Sequence, residues 1–88
     1  MVEQKPYIDT KSEDLTIRKF SQDIDPIELL WHRDLRNRMV KIIEGRNWKI
    51  QLENELPKSF EETIIPKLTW HRVIKGEGDL IIQIKEWD

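Results

Sequence analysis

Apolar residues fall in short runs separated by turn-rich segments. Leu15 to Phe20 is β-prone and alternates in part. Trp48, Ile50 and Leu52 alternate with Lys49 and Gln51, the pattern of a strand with one buried face. Thr63 to Ile65, Trp70 to Ile74 and Leu80 to Ile84 add three more strand-like runs. Between them, Ser21 to Pro26, Gly45 to Asn47, Glu53 to Ser59 and Lys75 to Asp79 supply the breaks. The segment Lys75 to Asp79, with two glycines, suits a hairpin connection. No internal repeat stands out. Residues 1–13 are polar and lack periodicity, so they are expected to form an N-terminal arm ahead of a single domain over 14–88.

One stretch also fits a helix. Asp25 and Pro26 have the form of an N-cap and first-turn pair. Ile27, Leu30, Trp31, Leu35, Met39, Ile42 and Ile43 lie near helical spacing, and Gly45 would stop such a helix. Periodicity alone permits a helix over 26–44.

Composition narrows the function classes. A chain of 88 residues is one domain with a modest core. The net charge of −2 gives no field that would draw nucleic acid or an anionic membrane, so neither is expected as a partner. Arg33, Arg36, Arg38 and Arg46 form a local basic group that reads mainly as solvated charge. With no cysteine, disulfides, thiolate metal sites and cysteine nucleophiles are excluded. Met1 to Asp14 has no apolar run and nothing approaches a membrane span, so a cytoplasmic location is expected.

The chemistry-bearing pattern lies in two places. His32, Asp34, Arg38 and Gly45 stand at offsets of two, four and seven. Pro66, Leu68 and His71 stand at offsets of two and three. These spacings resemble the two motifs of the cupin superfamily, and the likeness covers about Leu15 to Glu86. The segments Gly45 to Leu52 and Trp70 to Gly76 also resemble small cupin-like proteins of marine phages. This chain departs from the family pattern at three points. Asp34 replaces a His, Arg38 replaces the liganding Glu, and Leu68 replaces a Gly.

The resemblance implies an all-β fold, a small jelly-roll barrel of the double-stranded β-helix type. It also implies a divalent metal, Fe, Mn, Ni or Zn, held by His32, Asp34 and His71. If residues 32–34 are extended, His32 and Asp34 face the same way, and His71 converges on them from a facing strand. Arg38 cannot ligate a cation. It would either anchor a small anionic ligand or neutralise Asp34. Trp31, Trp48 and Trp70 read as core or as pocket wall, and Trp48 and Trp70 are candidate ligand contacts beside Arg38. Two functions follow: a metal-dependent enzyme acting on a small anion, or a non-catalytic ligand-binding or assembly module with a degenerate, metal-free site. Open sheet edges in so short a barrel predict a homodimer through the 15–20 strand or the Trp87 end.

Overall fold

The computed structural model describes residues 5–88. Its elements are strands apart from one turn of 3-10 helix, Pro26–Glu28. In chain order the strands are β1 (Ile8–Ser12), β2 (Leu15–Phe20), β3 (Asn37–Arg46), β4 (Lys49–Leu52), β5 (Lys58–Ser59), β6 (Thr63–Ile65), β7 (His71–Ile74) and β8 (Glu77–Trp87). They form two antiparallel sheets, β1-β2-β8-β3-β6 and β5-β4-β7. Among the described residues no helix is long and apolar enough to cross a membrane.

Alternation explains which side of each strand is buried. Val40 on β3 pairs with Ile84 on β8, which pairs in turn with Thr16 on β2, and all three are buried. Leu80, Ile82, Ile50, Leu52 and Ile65 extend the same interior. Trp48 is 2% exposed, and its indole N–H is shared between the carbonyls of Glu77 and Gly78 at 3.2 Å each. A buried indole needs such a partner. Trp48 is thus a core residue, which corrects its reading as a ligand contact.

The all-β expectation holds, and four local expectations do not. The helix permitted over 26–44 ends after one turn. Asp25 does cap it, accepting the Ile27 N–H at 3.1 Å. Yet Ile27, Leu30 and Leu35 are exposed, so a longer helix would have no face to bury, whereas 37–46 pairs along β8. The arm reading fails over Ile8–Ser12, which forms edge strand β1. There Asp9 lies opposite Arg18 and takes a bidentate ion pair from it, at 2.8 and 3.0 Å. Residues 1–4 of that arm lie outside the described residues. The 15–20 strand is flanked by β1 and β8, so it offers no open edge for a dimer. Finally, β7 and β8 do not form a hairpin. Lys75 and Gly76 carry the chain from one sheet to the other.

Candidate metal centre

The two histidines are neighbours in one ladder. His32 forms an isolated antiparallel bridge to His71, the first residue of β7. Each donates its backbone N–H to the other's carbonyl, at 3.0 and 2.8 Å. The imidazole centroids are 4.2 Å apart. The bridge joins two copies of one tripeptide, Trp31-His32-Arg33 and Trp70-His71-Arg72. Antiparallel pairing sets each Arg opposite the other copy's Trp. The Arg33 guanidinium lies 5.2 Å from the Trp70 ring centre, and that of Arg72 lies 5.0 Å from the Trp31 ring centre. Alternation then places both imidazoles on the inner side and both Trp–Arg pairs on the outer side. His71 is therefore beside His32 rather than on a facing strand.

Asp34 arrives by a different route from the one expected. Residues 33–36 have left the sheet, and a hydrogen bond from Leu68 N to the Asp34 carbonyl, 2.7 Å, ties this loop to the turn after Pro66. Lys67 N adds a second tie, to Asn37 Oδ1 at 3.0 Å. Leu68 stands where the resembling motif has Gly, and it adopts φ +62°, the left-handed conformation that Gly tolerates best. Half-exposed Leu68 gives little packing in return. Leu68→Gly is therefore expected to raise stability by about 0.5–1 kcal/mol in thermal melts. A lower melting temperature would show that the leucine's packing outweighs the strain.

The donor atoms are set by hydrogen bonds behind them. His32 Nδ1 donates to the Leu30 carbonyl at 3.0 Å, and His71 Nδ1 donates to that of Thr69 at 2.8 Å. A carbonyl only accepts, so each Nδ1 carries the proton, and in the neutral ring each Nε2 keeps its lone pair. Asp34 Oδ2 lies 3.2 Å from His71 Nε2 and 3.1 Å from Arg38 Nη1, yet neither approach has hydrogen-bond geometry. This oxygen is fully buried without a donor. One ligating atom from each of His32, Asp34 and His71 lies within 4.8 Å of the others.

Charge also favours a cation. Burial pushes the Asp34 carboxyl up, but contact with His71 and the charge of Arg38 outweigh it and hold it below the usual range, so it is ionised at neutral pH. Burial pushes His32 down, and the neighbouring His71 adds to this against the pull of the Leu30 carbonyl, so His32 is neutral there. Arg38 Nε also binds Glu86 Oε2 at 2.8 Å. Two carboxylates thus share one guanidinium, leaving one negative charge unbalanced.

The centre opens onto a cavity of about 300 Å3 between the sheets, with His32, His71 and Arg38 in its wall. Trp48 and Trp70 do not line it. Trp70 lies on the outer side, 42% exposed, because it alternates with His71; this corrects its reading as a ligand contact. So the structure brings together His32, Asp34, His71 and Arg38 and sets both tryptophans apart. Glu86 was missed, and nothing in its sequence surroundings marks it. The repeated Trp-His-Arg tripeptide was legible and would have pointed to the pairing of the histidines.

No protein-family profile matches the sequence. None of the curated proteins matches it either. Solved structures do match. One is described by the words "Crystal structures of DMSP lyases RdDddP and RnDddQII", with a TM-score of 0.71 and 16% identity over 84% of this chain. This chain spans 37% of that one, a little over a third. Another is the protein NMB1881 from Neisseria meningitidis, with a TM-score of 0.61 and 15% identity, covering 99% of this chain and 89% of that one. Identities this low speak for architecture alone, and the architecture is a small cupin-like β-barrel.

Proposed function

We propose that this barrel holds a divalent metal on His32 Nε2, His71 Nε2 and the Asp34 carboxylate, and that the metal serves small-molecule chemistry in the adjoining cavity. The observation that carries this reading is the buried Asp34 Oδ2, which has no hydrogen-bond donor and faces an imidazole nitrogen across 3.2 Å. A carboxylate oxygen facing an imidazole nitrogen this closely calls for a positive centre between them, a proton or a metal ion. Two neutral imidazoles and one carboxylate suit Fe, Mn, Ni or Zn and leave positions open for water or a ligand. Lyase, isomerase or oxygenase chemistry fits such a centre. A lyase reading drawn from the DMSP lyases rests on shared fold alone.

A second reading, a metal-free binding or assembly module, is favoured by the closeness of Arg38 to Asp34, 3.1 Å. The readings of a phage-type relative, a cytoplasmic location and a homodimer rest on the sequence.

The test is titration of the purified protein with Mn, Fe(II), Ni and Zn while recording bound metal and melting temperature. One metal per chain is expected, with a rise in melting temperature that His71→Ala abolishes. The stabilisation should reach about 2.7 kcal/mol at a hundredfold excess over Kd. No uptake of any of the four metals would leave the metal-free module as the function.

A further inference from the structure

We infer that the cavity receives a small monocarboxylate with an apolar body, its head on the metal centre; this rests on the metal reading above. The walls decide the body. Val40, Ile50, Ile65, Val73, Ile82 and Ile84 supply an aliphatic wall, with aromatic rings from Phe20 and Phe60. A volume of about 300 Å3 is at the small end of the range for small-molecule sites.

The polar groups of the wall decide the head. Arg18 is neutralised by its bidentate pair with Asp9, and its guanidinium stacks on the Tyr7 ring with 3.6 Å to the ring centre. Arg38 is held between Asp34 and Glu86. Both histidines use Nδ1 on backbone carbonyls. Among the described residues of the wall, the Nε2 side of the imidazole pair, the Tyr7 hydroxyl and the Glu28 carboxylate remain unengaged, and of these only the imidazole pair, with Asp34, forms a metal-ligand group. A divalent ion there would turn the single unbalanced negative charge of Asp34, Glu86 and Arg38 into a single positive one. One monoanion restores neutrality, which is favoured where apolar walls offer a charge few other partners. A second carboxylate would meet apolar walls, the already paired Arg18, and Glu28 at the lining. The site therefore selects against dicarboxylates.

Calorimetric titration of the metal-loaded full chain tests this with acetate, butyrate, hexanoate and decanoate at constant ionic strength, and with adipate against hexanoate. Affinity is expected to rise about fourfold per added methylene until the cavity is full and then to level or fall. Adipate should bind at least roughly tenfold more weakly than hexanoate. Val73→Phe should move the best length toward shorter acids. Metal uptake with a flat series, or with adipate equal to hexanoate, would overturn this inference and leave the metal reading intact. A gradient unchanged in metal-free His71→Ala would overturn the placement of the head. Absence of metal uptake would overturn the metal reading and this inference with it.

Discussion

Without metal, Arg38→Glu is expected to melt roughly 10–20 °C below the parent protein. The guanidinium touches Asp34 Oδ2 and Glu86 Oε2, so the substitution removes the shared cation and sets a third carboxylate beside the other two. Positions 38 and 86 are also directly paired across β3 and β8, where like charges repel. The side chains of Arg38 and Asp34 are 15% and 17% exposed, so water screens the cluster only in part. A cost of about 2–4 kcal/mol follows, somewhat under that of breaking a fully buried pair. Added Mn or Zn should reverse the sign. The new carboxylate is a fourth donor at the position where the resembling motif carries its Glu, so the variant should bind metal more tightly and recover most of the loss. Melting curves with and without each metal, paired with metal content, check both halves. A variant that stays unstable at saturating metal would show that residue 38 does not reach the ion.

Gly76→Ala should cost about 3 kcal/mol or more. A methyl group built at Gly76 would lie far inside contact distance of Arg46 O and Trp48 N. Both are backbone atoms of the turn between β3 and β4, where Asn47 already adopts φ +59°. A crowded side chain can rotate away, but backbone pinned between two strands and a buried Trp48 cannot. The relief available is for β4 to shift, which would disturb its pairing with β7 and hence the ladder that ends in His71 and His32. Gly78→Ala is the control. Nothing lies within 4 Å of the added methyl, and the cost is only that of φ +69°, about 1–2 kcal/mol. Urea unfolding of the two variants should separate them. Equal destabilisation would show that conformation rather than contact governs this crossing.

How much of this was legible follows from what each signal measures. Alternation in 15–20 and 48–52 reports one buried face, and an apolar run marks 80–84; strands β2, β4 and β8 lie in these regions with buried members on the inner side. The same signal was ambiguous over 26–44. Met39, Val40, Ile42 and Ile43 suit either period, and only the presence of β8 alongside decides between them. β1 was invisible because an edge strand needs no apolar face when ladder hydrogen bonds and an Asp9–Arg18 pair hold it. The site was legible as a set of residues but not as a geometry. His32, Asp34 and His71 do converge, but only His32 of the 32–34 segment is paired in a ladder, so the sheet alone does not bring them together. Leu68 conceals a glycine-like turn, because residue type indicates backbone conformation only when the cheapest residue is used.

The adjacency of the two Trp-His-Arg copies has a mechanical consequence. Because His32 and His71 hold each other by two backbone hydrogen bonds, the bite of the imidazole pair is fixed by a single rung of a ladder and not by the girth of the barrel. Asp34, in contrast, is hung from the turn at Leu68. Swelling or shrinking the interior through substitutions at Val40 or Ile82 would therefore leave the nitrogen pair unchanged, while retuning the turn would move the carboxylate alone. The centre behaves as a rigid two-pronged fork with one adjustable tooth, so its preference among metals of different radius can drift through the 66–69 turn without any change in the residues that touch the ion.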